Sequence, residues 1–161
     1  MKGNEPKINI LLADDKREIC ESLDLNLQYQ LKMYNLKTYC IQTVFTSHAC
    51  QHGKQTVANG FLPNICIFDL IFNGDTGLDL YNYIKQQTPS NYPLYLCIYT
   101  GTEKLYQKRQ EAEILASTEH GNVKIVQKPN INEILSWFHY ILSKKYHLDK
   151  KIENDDLFMT L

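Results

Sequence analysis

Four short apolar runs divide the chain, and each gives way to a polar group near its carboxyl end. Ile8 to Ala13 runs into Asp14-Asp15, Ile65 to Phe68 into Asp69, and Leu94 to Tyr99 into Thr100, while Val123 to Val126 stops just short of Lys128-Pro129. Such runs predict buried strands. A further stretch, Thr38 to Phe45, is rich in β-branched and aromatic residues and reads as a strand between the first two. Helical patterns fill the gaps. Ile19, Leu23, Leu27 and Leu31 recur every four residues; His48 to Asn59 is a weaker helix ended by Gly60; Leu78 to Gln87 stops near Pro89.

Glu103 to Ser117 is a mostly polar helix with a sparse apolar face of Leu105, Ala112, Leu115 and Ala116. The last helix carries the clearest stripe: Ile131, Ile134, Leu135, Phe138, Ile141 and Leu142. Strands alternating with helices predict an α/β chain of βα units around a parallel sheet, with five strands and five helices. The pattern holds over residues 1–147 as one domain. Residues 148–161 form a charged stretch with a short apolar end, a C-terminal tail or the start of a linker.

Composition narrows the class. The 161 residues suffice for one domain with a real core, and 43% apolar with 22% charged residues is the balance of a globular protein. A net charge of −1 offers no global attraction to nucleic acid or an anionic membrane, so neither is an expected partner. Met1 to Lys7 is too polar for a signal peptide and no run has the length of a spanning helix; the cytoplasm is the expected compartment. Cys20, Cys40, Cys50, Cys66 and Cys97 are odd in number and form no CxxC, which fits a reducing compartment. His48 and His52 lie four residues apart, but without a neighbouring carboxylate a solvated helix start is the stronger reading than a metal site.

The polar strand ends carry the chemistry. In a parallel sheet the crevice at the carboxyl edge is where ligands bind. Asp14, Asp15 and Asp69 are hard oxygen donors suited to Mg²⁺, and one of them can serve as a carboxylate nucleophile toward phosphorus. Lys128 would neutralise phosphoryl oxygens, the Thr100 hydroxyl would donate to another, and Gly101 would leave room for the group. Each part taken alone has an ordinary explanation: Asp-Asp as a helix cap, Thr-Gly as a turn, Lys-Pro as a loop. Their placement at successive strand ends points to a metal-assisted phosphoryl site.

With these residues the chain resembles the receiver domain of two-component response regulators. The resemblance covers Lys7 to Tyr146 and rests on Asp14-Asp15, Ile67-Phe68-Asp69-Leu70, Gly77-Leu78-Asp79-Leu80, Thr100-Gly101 and Lys128-Pro129. It implies a flavodoxin-like fold, a doubly wound five-stranded parallel sheet of order 2-1-3-4-5 with five helices. It implies that Asp69 accepts a phosphoryl group from a sensor histidine kinase or phosphotransfer protein. Asp15, Asp69 and the backbone carbonyl of Ile71 would ligate Mg²⁺, with Asp14 acting through a bound water. Lys128 would pair with the phosphoryl oxygens across a cis bond to Pro129. Thr100 would then move inward and remodel the surface of the fourth helix, fifth strand and fifth helix, which controls a downstream partner or output domain, or a homodimer to which Tyr99, Tyr106 and the fifth helix contribute. The protein would be a signalling switch rather than an enzyme, limited to its own phosphorylation and slow autodephosphorylation.

Several positions depart from the family pattern. Asn73 stands where proline is usual, predicting a looser loop, and Ile125 stands where the switch aromatic is usual. The stretches between Asp15 and Asp69 and between Thr100 and Lys128 are long, predicting longer first and fourth helices or loops. Apolar Ile71 cannot orient a hydrolytic water, which predicts slow loss of phosphate; the competing reading is that it merely packs on the third helix. Two other functions remain open. An aspartyl-nucleophile phosphatase of the haloacid-dehalogenase kind needs an acid two residues after Asp69, and Ile71 occupies that place. A receiver-like binding module that is never phosphorylated would not need the intact acidic set.

Overall fold

The structure is a computed structural model, which describes residues 7–101, 106–119 and 121–150. Five strands, β1 (Ile8–Ala13), β2 (Tyr39–Val44), β3 (Ile65–Phe68), β4 (Tyr95–Thr100) and β5 (Val123–Gln127), form one parallel sheet in the order β2-β1-β3-β4-β5. The helices are α1 (Arg17–Met33), α2 (Ala49–Ala58), α3 (Gly77–Gln87), α4 (Tyr106–Thr118) and α5 (Ile131–Tyr140). The doubly wound order expected from the sequence is thus the observed one. Among the described residues no helix is long and apolar enough to cross a membrane.

Strand alternation divides the core. Ile8, Ile10 and Leu12 face α1 and α5, where Leu23, Leu27, Leu31, Ile134 and Phe138 meet them; Leu11 and Ala13 face α2 and α3 with Val57, Leu80 and Ile84. Both faces are covered, so β1, β3 and β4 are nearly continuous apolar runs, broken only by Asn9 in β1 and Thr100 at the end of β4. Each such fully buried Leu or Ile stabilises the fold by about 1.5–3 kcal/mol relative to exposure.

Two details differ from the sequence reading, and the long first helix it expects is present. Thr100 is the last residue of β4 rather than the first after it. The last helix does not run through unbroken: after Tyr140 it widens into a π-helical turn, Ile141–Lys145, with both Ile141 and Leu142 buried. Helix α1 spans 17 residues and accounts for part of the length between Asp15 and Asp69. Leu105, placed by the sequence on the fourth helix, lies outside the described residues, as do residues 151–161 of the tail.

Candidate functional site

The strand order brings β1 and β3 together, with Ala13 paired to Phe68, so Asp14 and Asp69 leave the sheet side by side at its carboxyl edge. Their backbones are fixed by the ladder: Asp69 N–H donates to the Ala13 carbonyl at 2.9 Å and Asp14 N–H to the Val44 carbonyl at 3.1 Å. Lys128 arrives from β5, its N–H bonded to the Thr100 carbonyl at 2.9 Å and its peptide to Pro129 cis. The Lys128 ammonium donates to Asp14 Oδ2 at 2.7 Å and to Asp69 Oδ2 at 3.1 Å. Thr100 is fully buried on β4, between the two. Asp14, Asp69, Thr100 and Lys128 therefore converge on one edge.

Burial sets the electrostatics. Asp14 is 2% exposed, and desolvation pushes its carboxyl above the ordinary range; the bonds from Lys128 and from the Lys16 N–H, at 2.9 Å, offset this only in part. Desolvation also works against the Lys128 ammonium, but the hydrogen bond to Asp14 and the charge of Asp69 outweigh it and hold its pKa above the usual lysine value. Asp15 is exposed at the rim. One carboxylate oxygen from each of Asp14, Asp15 and Asp69 lies within 4.8 Å of the others, and Asp69 Oδ1 is buried with no hydrogen-bond partner among the described residues. An orphaned anionic oxygen inside a cluster of hard donors fits a small divalent cation such as Mg²⁺.

The loop after Asp69 is tied down despite Asn73. Phe72 N–H donates to the Asp75 carbonyl at 2.8 Å and Gly77 N–H to the Leu70 carbonyl at 2.9 Å, closing a turn in which Gly74 has φ of 88°. These two bonds flank an isolated bridge between Ile71 and Thr76, so the Ile71 carbonyl belongs to the non-bonded pair and is not used by that bridge. The Ile71 side chain is half-buried against the α2–α3 side of the core, which is the packing reading. Thr76 caps α3 through a capping box: Asp79 N–H donates to Thr76 Oγ1 at 3.1 Å, and Thr76 N–H to Asp79 Oδ2 at 3.0 Å.

A second glycine, which the sequence did not single out for making room, is needed for close packing. A Cβ at Gly101 would meet Lys128 at 3.7 Å, an ordinary contact. At Gly77 a Cβ would lie 2.2 Å from the Asp69 carbonyl oxygen, so Gly77 is what lets α3 start against the end of β3. Tyr99 was misplaced: it is 5% exposed within the core and not available to a second copy, while the Tyr106 side chain lies outside the described part. His48 precedes α2 and His52 Nδ1 shares a 2.8 Å hydrogen bond with Thr46 Oγ1, the solvated helix start expected. All five cysteines are free; Cys20 lies beneath Asp14, and burial pushes its thiol up to about 12.

Neither a protein-family model nor a curated protein sequence matches the chain. Solved structures do match. A response regulator receiver protein from Sinorhizobium medicae is 15% identical with a TM-score of 0.61, covering 86% of this chain and 97% of that one. A response regulator receiver domain from Clostridium thermocellum is 21% identical with a TM-score of 0.56, over 86% and 97%. The RcsB response regulator of Salmonella typhimurium, in a structure concerned with DNA interaction, is 18% identical with a TM-score of 0.55, over 95% of this chain and 66% of that one. The fold of this chain is the flavodoxin-like fold of response regulator receiver domains.

Proposed function

We propose that this protein is the phosphorylatable switch of a two-component phosphorelay, with Asp69 as acceptor. The observation that carries the reading is the Lys128 bridge to Asp14 and Asp69 beside an orphaned Asp69 oxygen within the carboxylate cluster. Lys128 pairs with two of the three clustered carboxylates, and the negative charge left over favours a divalent cation beside them.

Asp14, Asp15, Asp69 and the Ile71 carbonyl would hold Mg²⁺, which when bound neutralises the carboxylates so that an anionic phosphoryl donor can approach. An Asp69 oxygen would attack phosphorus as the donor's P–N bond breaks; the donor histidine leaves as neutral imidazole, its other ring nitrogen carrying the proton, and Asp69 holds the group as an acyl phosphate. Lys128 exchanges part of its bond to Asp14 for the new phosphoryl oxygens, and the Thr100 hydroxyl donates to another. The donor is a phosphohistidine of a sensor kinase or phosphotransfer protein. The response is a shift between two arrangements of the α4-β5-α5 surface, which a downstream protein or output domain reads. In this reading residues 1–147 are the receiver and 148–161 a tail or linker.

The test is intact-protein mass after incubation with acetyl phosphate and Mg²⁺, beside Asp69→Asn and a metal-free control. One added phosphoryl group, dependent on both the cation and Asp69, is expected. A folded sample that takes up none from acetyl phosphate or phosphoramidate would instead be a phosphorylation-independent binding module.

A further inference from the structure

The aromatic that would couple Thr100 to the surface is replaced by Ile125, which packs half-buried against the core face shared with α4. A side chain able to report the pocket to α4 needs three properties. It must lie on the same face of the sheet as Thr100, stand next to it, and hold α4. Gln127 has all three. It is the register partner of Thr100, two residues beyond the Ile98–Ile125 pair that faces α4, so parity puts it on that face. It directly precedes Lys128, whose N–H is bonded to the Thr100 carbonyl. Its Oε1 accepts a hydrogen bond from Arg109 Nη1 of α4 at 3.0 Å, while Arg109 Nε is paired with Glu113 at 3.3 Å.

The far end of α4 is tied through Glu119 to Lys85 and the Tyr81 hydroxyl, but toward the pocket its described residues offer little else to seat it. Among its residues whose burial is described, only Ala112 is buried, Leu115 and Ala116 are partly so, and Ile114 is 63% exposed. A charge-assisted bond at such a weakly packed helix weighs heavily in where the helix sits. We infer that Gln127 and Arg109 are the positioning residues that transmit the state of the acidic pocket to α4, in place of the missing aromatic. This rests on the phosphoryl switch proposed above. When Thr100 turns toward a group on Asp69, the space beside Gln127 opens, Gln127 follows, and Arg109 carries the change into α4.

The experiment is amide hydrogen exchange of the full chain, free and with Mg²⁺ and beryllium fluoride as phosphoryl analogue. Fluorine NMR records separately whether the adduct forms. In the parent and in Ile125→Ala, adduct formation is expected to change α4 exchange by about fivefold, the effect of one charge-assisted bond on a half-exposed surface. Gln127→Ala and Arg109→Ala should form the adduct and lose that response. Gln127→Glu, with a full charge facing Arg109, should slow α4 exchange in the free protein; unchanged exchange there overturns the link even if the alanine variants fail to fold. A full α4 response in adduct-bearing Gln127→Ala, or none in the adduct-bearing parent, overturns the link and leaves phosphoryl acceptance standing. Absence of any adduct on the parent overturns both.

Discussion

Gly77→Ala sets two physical effects against each other with opposite signs. Gly77 is the first residue of α3, and helix propensity alone favours alanine by roughly 1 kcal/mol. The Cβ it would add lies 2.2 Å from the Asp69 carbonyl oxygen and 3.1 Å from Phe68 Cβ. Close C···O contacts settle near about 3.3 Å, so about 1 Å must open between α3 and the acceptor residue. Neither side yields freely. The Asp69 N–H is bonded to Ala13, the Gly77 N–H to Leu70, and the α3 start is held by its capping box. Overpacking of this kind costs about 1–3 kcal/mol.

The displaced atoms belong to Asp69, the proposed acceptor, so the rate of phosphorylation should suffer along with stability. A shift of about 1 Å at a reacting group costs on the order of 10²-fold in rate. Urea unfolding measures the first effect, and the time course of mass gain from acetyl phosphate the second. Gly53→Ala is the matched control: the nearest atoms to its Cβ would be the Leu80 methyls, at 2.8 and 3.0 Å, side-chain ends and not backbone of the site, so its phosphorylation rate should stay at the parent value. A Gly77→Ala protein as stable as the parent and phosphorylated at the same rate would refute the steric argument.

Other expected outcomes follow from the same geometry. Mg²⁺ should raise the melting temperature, by about 2.7 kcal/mol in stability at a hundred times its Kd, and Asp15→Asn or Asp69→Asn should shrink the gain; no shift in the parent at any concentration would remove the cation from the site. Phosphorylated Ile71→Asn should lose its phosphoryl group several times faster than the parent while unfolding at lower urea, since Ile71 is half-buried against the core; equal lifetimes would mean that Ile71 only packs. At the opposite end of the sheet, burial opposes ionisation of Glu119, but Lys85 Nζ at 2.8 Å and the Tyr81 hydroxyl at 2.7 Å hold its pKa below the ordinary value. A depressed carboxylate stabilises above its unfolded pKa and loses that contribution as pH falls through the folded one. Glu119→Gln should therefore cost up to about 1 kcal/mol at pH 7, limited by screening of half-exposed Lys85, and the gap should close below the usual carboxylate range. A gap that persists unchanged in acid would point to packing instead.

What was legible in the sequence followed from short-range pattern. Uniformly apolar strands, helical stripes and polar strand ends are local signals, and a parallel sheet has few ways to arrange them, so the order of strands and the meeting of Asp14, Asp69 and Lys128 came through. What did not come through depends on distances between elements. Nothing in the sequence marks Gly77 as the glycine that the end of β3 requires, because that is set by how closely α3 packs on Asp69. Tyr99 looked available for contact because its alternation within an apolar run does not say which face is covered. The link through Gln127 was hidden for the same reason. Its partner Arg109 lies 18 positions away, and only the register of β4 against β5 puts Gln127 beside Thr100. A motif reading stops at Ile125, finds the expected aromatic absent, and concludes that coupling is lost. The register offers a different neighbour on the same face, two residues nearer the pocket and already bonded to the helix that must respond.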